Sequence, residues 1–228
     1  MPVRKRASAL ARPEQQRYIT SVTALIANGT YGRLVAVHAD MSHMQHGSMG
    51  AIGRQRFLPW HREYLRQFEQ ALQDVDVQAF VPYWRWENDR AFPTWLGPFH
   101  PDVTVPGVRH PIQVHRSLGR HGRLPSSFEV GALTSNQNLS YADFTTTLEG
   151  FHNDVHNWVG STMGNLMFSP ADPIFWLHHA AVDRRWSAWQ VGNPGKRSTV
   201  PPAEEVLDPW AHRIANVQSI ATLGYSYQ

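Results

Sequence analysis

Residues 172–186 read Asp-Pro-Ile-Phe-Trp-Leu-His-His-Ala-Ala-Val-Asp-Arg-Arg-Trp, and this stretch decides how the rest of the chain is interpreted. Asp172 followed by Pro173 is typical of a helix N-terminus, with a capping carboxylate and then proline in the first turn. The turn that follows is apolar, yet it carries His178 and His179. Burying imidazoles among apolar side chains is costly unless their nitrogens are hydrogen-bonded or bound to a metal. Adjacent helix residues point about 100° apart, so one of the two histidines is expected to join a site.

The spacing within this helix also predicts the surroundings of His179. Phe175 lies one turn before it and Asp183 one turn after it, with Trp186 on the same face. We expect the aromatic ring and the carboxylate to pack around the histidine, as the groups behind a metal ligand do.

A second histidine pair lies upstream, in His152-Asn153-Asp154-Val155-His156. The i, i+4 spacing places both imidazoles on one helix face, about 6 Å apart at Cβ, so both can bind one metal ion. Zinc proteases use this spacing with glutamate directly after the first histidine, and Asn153 at that position excludes a protease of this type. Taken by itself, the pair also fits two exposed histidines that bind nothing.

The N-terminal half contains four more histidines within residues 38–61. His38 falls in a predicted helix, and His61 falls near the start of another helix, which we place from Pro59 onward. His43 and His46 lie between these two helices.

Apolar periodicity and turn residues predict a mainly helical protein. The predicted helices cover about residues 13–28, 31–43, 59–72, 144–158 and 172–190. The glycine-rich segment 47–53 is predicted to be a loop, residues 92–136 a long and mostly irregular connection, and residues 194–228 an irregular tail. The long connection contains four histidines that we expect to be surface residues: His100, His110, His115 and His121.

Composition excludes several classes of protein. The chain has 228 residues, of which 42% are hydrophobic, and this is enough for one domain with a core. It has no cysteine, so a metal site must use nitrogen and oxygen ligands. The net charge of +3 comes from scattered Lys and Arg residues, which does not indicate nucleic-acid binding. No apolar run approaches the roughly 18 residues needed to span a membrane. The basic N-terminus has no apolar stretch of the secretory kind, which predicts a cytoplasmic protein unless a leader has been removed.

Four segments together resemble the copper-binding motifs of the tyrosinase and catechol oxidase family, the type 3 dinuclear copper proteins. They are Phe57-Leu58-Pro59-Trp60-His61-Arg62, Pro82-Tyr83-Trp84, residues 152–160 and residues 172–184. They occur in the family's order and at close to its spacings. The resemblance implies an antiparallel four-helix bundle core, with little β structure, that holds two copper ions and uses dioxygen as co-substrate. It also implies that residues 1–228 are a single copper catalytic domain, with residues 92–136 as an insertion.

The resemblance assigns three histidines to each copper. The first copper's ligands match His38, His46 and His61, the second copper's match His152, His156 and His179, and His178 is expected to be structural. In many family members the second and third ligands of the first copper are nine residues apart, a spacing that falls on Ile52 here. His46 is therefore the favoured second ligand, and His43 is the alternative. Six imidazoles without a carboxylate argue against magnesium, calcium or non-haem iron.

The resemblance also gives roles to residues that are not ligands. Glu149 and Asn153 match a pair thought to hold a water that deprotonates the phenol, although Glu149 also fits a solvated residue early in a helix. Arg4 is expected to stack on the Tyr225-Ser226-Tyr227 motif. A chain without cysteine cannot form the thioether of many fungal and plant members, which favours a bacterial type of enzyme. The chain stops at the tyrosine motif, so we expect a site that no further domain covers.

The activity that the resemblance implies is the oxidation of small-molecule phenols by dioxygen. A tyrosinase hydroxylates monophenols at the ortho position and oxidises o-diphenols to o-quinones. A catechol oxidase or an o-aminophenol oxidase with little monophenolase activity is the alternative, and a haemocyanin-like oxygen carrier is a third possibility.

Overall fold

The structure, a computed structural model, describes residues 2–228, and helices dominate this part of the chain. The α-helices are α1 (Arg12–Ala27), α2 (Thr30–Ala39), α3 (Ala51–Val75), α4 (Ser127–Ser135), α5 (Tyr141–Val159) and α6 (Ile174–Gly192). The strands are β1 (Val3–Arg4), β2 (Asp102–Val103), β3 (Ile112–Gln113) and β4 (Ser226–Tyr227), each of two residues. The mainly α fold with little β structure is therefore confirmed.

The long helix α3 organises the core. It packs against α1, α5 and α6, and α5 also contacts α6. Helix α2 reaches the same core through Tyr31, whose hydroxyl accepts a hydrogen bond from Trp176 Nε1 at 2.9 Å, while Phe68 stacks on Trp176 with ring centroids 3.9 Å apart. The helices that carry the histidine motifs are thus held by large buried aromatic side chains, which contribute much of the apolar area that a core buries.

Helix α3 begins earlier than the sequence predicts. We placed its start near Pro59, but the helix begins at Ala51, so the predicted loop 47–53 is replaced by a short 3₁₀ turn and the first turn of α3. A proline inside a helix frees the carbonyl four residues earlier, because proline has no N–H to donate. The carbonyl freed here is that of Gln55, and the Tyr141 hydroxyl donates to it at 3.1 Å. A neighbouring helix therefore supplies the missing hydrogen bond.

Helix α2 ends at Ala39, four residues before the predicted end. The next residue, Asp40, is extended, and its carboxylate accepts the backbone N–H of Ser42 at 3.0 Å. A 3₁₀ turn follows over Met41–His43, and Met44 then adopts a left-handed conformation with φ of +52°. This break in the helix turns the chain sharply ahead of His46.

The long connection 92–136 is more ordered than the sequence predicts. It contains the β2–β3 hairpin and the helix α4, which we did not predict. Ser126 and Glu129 form a capping box at the start of α4, and a serine followed three residues later by glutamate is a sequence signal of a helix N-terminus. The expectation of exposed histidines is confirmed, since all four in this segment are exposed: His100, His110, His115 and His121.

Arg116 fixes the long connection to the start of α6. Its guanidinium forms two hydrogen bonds of 2.7 Å with the carboxylate of Asp172. It also donates to the carbonyls of Leu96, Gly97 and Phe99. Asp172 is completely buried and accepts the N–H of Ile174 at the helix start, so one ion pair joins the connection to the helix that carries His179.

The two ends of the chain meet in a small parallel sheet formed by β1 and β4. The expected stacking of Arg4 on the tyrosine motif is confirmed, because its guanidinium carbon lies 3.8 Å from the ring centroid of Tyr225. Arg4 is fully buried and also pairs with Glu69 at 2.9 Å. Within residues 2–228, no helix combines the length and the apolar character that crossing a bilayer requires.

Candidate metal centre

The first histidine cluster consists of His38 from α2, His46 from the segment before α3, and His61 from α3. One ring nitrogen from each lies within 4.8 Å of the corresponding atoms of the other two. All three side chains are buried, with no more than 3% of their surface exposed. Backbone carbonyls orient two of them, since His38 Nδ1 lies 3.2 Å from Met167 O and His61 Nδ1 lies 2.8 Å from Phe57 O.

These contacts determine which nitrogen faces the centre of the cluster. A carbonyl oxygen can only accept, so Nδ1 of His38 and of His61 carries the proton, and Nε2 keeps its lone pair. The Nε2 atoms of His38, His46 and His61 are all buried and none has a hydrogen-bond partner. Three buried ring nitrogens without partners, close to one another, are what a metal ion would satisfy.

The second cluster is formed by histidines of α5 and α6. His152, His156, His178 and His179 each place a ring nitrogen within 4.8 Å of the others. His156 Nδ1 lies 2.7 Å from Met163 O, and its Nε2 has no partner. The Nε2 atoms of His152 and His179 are 3.0 Å apart and face each other, so three imidazoles converge here as they do in the first cluster.

The two clusters adjoin each other. The rings of His61 and His179 are stacked, with centroids 4.4 Å apart and planes 16° from parallel. Phe57 contacts His61 and His152, at 4.9 Å and 5.0 Å between ring centroids. Phe175 packs on His179 at 4.1 Å. The clusters therefore form one continuous histidine site with aromatic walls, and no other cluster of this kind occurs within residues 2–228.

Burial keeps these imidazoles neutral. It lowers the pKa of His46 to about 3, with a smaller contribution from His156, and it lowers the pKa of His156 to about 4. The pKa values of His38, His61, His152 and His179 are also held well below the usual range, first by burial and then by neighbouring histidines. A neutral imidazole is the form that binds a metal, so the site is prepared for a cation without first losing protons.

His43, the alternative to His46, lies outside the first cluster. Its ring stacks on Trp60 at 6.1 Å, and its Nε2 is 3.7 Å from a carboxylate oxygen of Asp40. The sharp turn at Met44 separates the directions of the two histidines. The structure thus brings His46, and not His43, together with His38 and His61.

Glu149 and Asn153 occupy one face of α5, one turn apart. Glu149 Oε1 accepts the backbone N–H of Gly47 at 2.7 Å and lies 4.0 Å from His46 Nδ1. Burial raises the pKa of Glu149 to about 7, although the Gly47 hydrogen bond opposes the increase. Asn153 Oδ1 lies 3.0 Å from His152 Nδ1, so this amide orients a histidine of the second cluster.

A cavity of about 250 Å³ leads from the second cluster to the surface. Its walls include His46, His152, His156 and the amides of Asn153 and Asn157, and both asparagines are exposed to solvent. Leu166, about half exposed, contributes an apolar rim. Larger cavities exist elsewhere, but they are remote from the histidines. The cavity at the clusters is the one through which a small aromatic molecule can reach them.

One expectation about this site was wrong. We expected the carboxylate of Asp183 to support His179, but its oxygens pair with Arg62 and with the hydroxyls of Tyr225 and Tyr227. Nδ1 of His179 has no hydrogen-bond partner at all. Helical periodicity places Asp183 on the right face, but it cannot show that Arg62 and Arg4 compete for the carboxylate. The aromatic half of the expectation, Phe175 on His179, is confirmed.

The comparisons with known proteins agree with this geometry. A family model described as the common central domain of tyrosinase matches residues 28–113 and 111–192. The chain belongs to the tyrosinase family. A tyrosinase of Streptomyces galbus is 36% identical, over 86% of this chain and 85% of its own length.

Solved structures share the fold over the whole of this chain. A functional unit of octopus haemocyanin superposes with a TM-score of 0.81 at 22% identity, and the match covers 68% of that chain. A polyphenol oxidase from Thermothelomyces thermophila superposes with a TM-score of 0.75, also at 22% identity, over 89% of its length. A haemocyanin and a polyphenol oxidase therefore share this architecture, so the fold does not by itself choose between their functions.

Sequence reasoning missed the backbone groups that aim the imidazoles. The carbonyls of Phe57, Met163 and Met167 orient three histidines, and the N–H of Gly47 donates a hydrogen bond to Glu149. Every residue has a carbonyl, so no residue type marks these positions. Gly47 is different, because its residue type reflects the close approach of Glu149. A Cβ at this position would lie 2.5 Å from Glu149 Oε2.

Proposed function

We propose that this protein is a tyrosinase, which binds two copper ions and uses dioxygen to hydroxylate monophenols and to oxidise o-diphenols to o-quinones. The observation that carries the proposal is the pair of adjoining histidine clusters, whose converging Nε2 atoms lie at the end of a solvent-reaching cavity. Phenols are also the natural substrates to consider for a chain 36% identical to a tyrosinase.

Copper is the metal that fits this donor set. We assign His38, His46 and His61 to the first copper and His152, His156 and His179 to the second. Imidazole suits copper, and the clusters contain no carboxylate of the kind that magnesium, calcium or manganese prefers. Bound copper supplies the electron transfer to dioxygen, and the protein must orient the phenol and remove its proton.

Glu149 and Asn153 are placed to handle that proton. The Asn153 carbonyl is used by His152, which leaves the Asn153 amide N–H groups free to donate to a water. Glu149 uses Oε1 for Gly47, and its other oxygen can accept from the same water. The water can then take the phenol's proton while it passes one of its own to Glu149. The raised pKa of Glu149, about 7, suits a proton acceptor near neutral pH.

The cavity favours an enzyme over an oxygen carrier. A carrier needs access only for dioxygen, whereas this cavity of about 250 Å³ has room for a phenol ring and opens between two exposed asparagines. Apolar contacts from Leu166 and Met163 line one side, and the amide of Asn157 lines another. The alternative enzyme is a catechol oxidase or an o-aminophenol oxidase with the same metals and little activity on monophenols.

We expect two coppers per chain in the fully loaded protein, together with oxidation of a catechol and slower hydroxylation of the corresponding monophenol. The reason is that a monophenol, with a pKa near 10, must lose its proton first, and a catechol is easier to oxidise. The measurement is metal analysis with a rate comparison on the two substrates. A folded protein that holds one copper, or holds two and oxidises neither substrate, would contradict the proposal.

Asn153 provides the test of the proton relay. Replacing Asn153 by Asp keeps an oxygen for His152 but removes the amide donors, so we expect monophenol hydroxylation to fall at least about tenfold more than catechol oxidation. Asn153→Leu removes both the oxygen that contacts His152 and the amide donors. It should therefore also weaken binding of the second copper by about 10- to 100-fold. The measurements are the two rates and the copper content of each variant.

Asn157→Asp is the matched control, because Asn157 lines the same cavity and is equally an exposed amide of α5. It should change the two rates in parallel. An equal fall of both rates in Asn153→Asp would show that Asn153 only orients His152 and takes no part in the proton relay. A wild-type protein that is inactive on every monophenol would identify a catechol oxidase.

A further inference from the structure

A cavity of about 370 Å³, which we call the Trp84 cavity, is lined by residues from the segments 7–15 and 84–95 and lies apart from both histidine clusters. This volume is within the range of small-molecule sites in proteins. Three aromatic side chains contribute to its walls: Trp84, Phe92 and Trp95. Trp84 and Phe92 are buried with ring centroids 5.9 Å apart, and Trp95 is partly exposed. The cavity thus offers aromatic surface to a planar ring.

Hydrogen bonds hold two of these walls in place. The indole N–H of Trp84 donates to the carbonyls of Asp89 and Ala91, at 3.0 Å and 3.1 Å. The indole N–H of Trp95 donates to the carbonyl of Ala7 at 3.1 Å. Because these rings are fixed by the protein itself, a ligand does not have to order them, and the entropic cost of binding is reduced.

Arg90 lies at the exposed edge of the Trp84 cavity with its guanidinium anchored. Its Nη1 donates to the carbonyls of Leu124 and Pro125, at 2.9 Å and 3.0 Å. These bonds use Nη1 alone, and within residues 2–228 neither Nε nor Nη2 of Arg90 has a hydrogen-bond partner. Nε and Nη2 of an arginine form a parallel pair of donors that matches the two oxygens of a carboxylate. Arg90 therefore has a donor pair available for such a group.

The charges around the cavity favour an anionic ligand over a cationic one. Asp89 is the acidic residue of the lining, but the Ser8 hydroxyl donates to its carboxylate at 2.7 Å and Arg6 Nε lies 3.5 Å from the same oxygen. Arg6 thus offsets the charge of Asp89, and no carboxylate of residues 2–228 forms an ion pair with Arg90. An ammonium group would have to compete with Arg6, whereas a carboxylate gains Arg90 without displacing any group.

We propose that the Trp84 cavity binds a small aromatic carboxylate, with its ring against Trp84 and Trp95 and its carboxylate on Arg90. The site is separate from the metal centre and does not depend on copper. It is connected to the helices that carry the histidines, because the backbone N–H of Trp84 donates to the carbonyl of Leu177 in α6 at 2.9 Å. The Trp84 ring also lies 5.8 Å from that of Trp158 in α5. A ligand bound here should therefore stabilise the folded protein.

Isothermal titration calorimetry of the complete, copper-free chain with hydrocinnamate tests the proposal. We expect one equivalent to bind, and hydrocinnamamide and phenethylamine to bind at least about tenfold more weakly, because neither forms the ion pair with Arg90. At about 100 times its dissociation constant, hydrocinnamate should raise the Tm by roughly 5 °C or more. Absence of binding up to roughly 10 mM, or tighter binding of phenethylamine than of hydrocinnamate, would overturn the proposal.

Variants locate the bound carboxylate. Arg90→Gln should weaken hydrocinnamate binding at least about tenfold, and Ala91→Trp should abolish binding because it adds a large side chain to the cavity lining. Asp89→Asn should tighten binding about twofold, since it removes a nearby negative charge. Arg109→Gln is the matched control, because Arg109 is also an exposed arginine but does not line the cavity.

Thermal unfolding without ligand shows whether each variant is folded, and Arg90→Lys replaces Arg90→Gln if the latter is not. Lysine keeps the charge but lacks the paired donors, so the affinity of Arg90→Lys should also fall. Wild-type affinity in a folded Arg90 variant or in Ala91→Trp would place hydrocinnamate outside the Trp84 cavity, and so would an equal loss of affinity in Arg109→Gln. Either result would make the proposal wrong without bearing on the copper chemistry.

Discussion

His46→Ala is expected to lose the first copper and nearly all activity, whereas His43→Ala keeps both coppers and most of its activity. His46 supplies one of three unpaired Nε2 atoms in a cluster that has no spare histidine. Removing a residue that only hydrogen-bonds a metal ligand already lowers metal affinity or activity about 10- to 100-fold. Removing the ligand itself should therefore lower kcat by more than about 100-fold. The measurements are copper content and the rate of catechol oxidation.

His43→Ala is a demanding control because His43 lies only three residues from His46 and is also buried. Its ring packs on Trp60, so its removal should lower thermal stability without changing the copper content. Gly47→Ala adds an independent check on the same segment, because a Cβ there would collide with Glu149 and displace His46. An inactive His43→Ala protein beside an active His46→Ala protein would reverse the assignment and require a different path for residues 40–50.

The helices of this protein were predictable where the periodicity was unbroken. The sequence predicted α1, α5 and α6 to within a few residues, because their apolar stripes run uninterrupted between recognisable ends. It failed for α3, where Pro59 is a local signal for a helix start. A tertiary contact from Tyr141 to Gln55 satisfies the carbonyl that the proline frees, and no local pattern contains that information.

The candidate site was predictable as a set of residues but not as a geometry. The resemblance of the histidine motifs to those of the tyrosinase family implied the six ligands, and the structure brings these residues into two adjoining clusters. Their roles as copper ligands stay a prediction, as do the roles of Glu149 and Asn153. The hydrogen bond from Gly47 to Glu149 joins residues 102 positions apart, so only the folded chain shows that Glu149 also holds the segment that carries His46.

Asp183 is the centre of a buried charge network that joins the two ends of the chain to α6. Its carboxylate pairs with Arg62 and Arg4 and accepts hydrogen bonds from the hydroxyls of Tyr225 and Tyr227. Burial would raise the pKa of Asp183, but the two guanidinium groups and the hydroxyls outweigh burial and hold this pKa below its usual value. The stability that this carboxylate contributes is therefore present above its unfolded pKa, near 3.9, and is lost as the pH falls through the lower folded pKa.

Asp183→Asn is expected to destabilise the fold by about 3–5 kcal/mol, because the substitution removes one partner of a buried ion pair and leaves the two cations without its charge. For a chain of this length, that corresponds to a fall of roughly 10 °C in Tm. Thermal unfolding of the copper-free protein at pH 7 measures this loss of stability directly.

Asp89→Asn is the matched control, since Asp89 pairs with Arg6 at 3.5 Å where both side chains are partly exposed. A pair of that kind contributes at most about 1 kcal/mol. Equal losses in the two variants would show that the Asp183 network contributes no more than a surface pair. The stability of Asp183→Asn should also depend less on pH than that of wild type below about pH 4, where the carboxylate of the unfolded wild-type chain takes up a proton before that of the folded protein does.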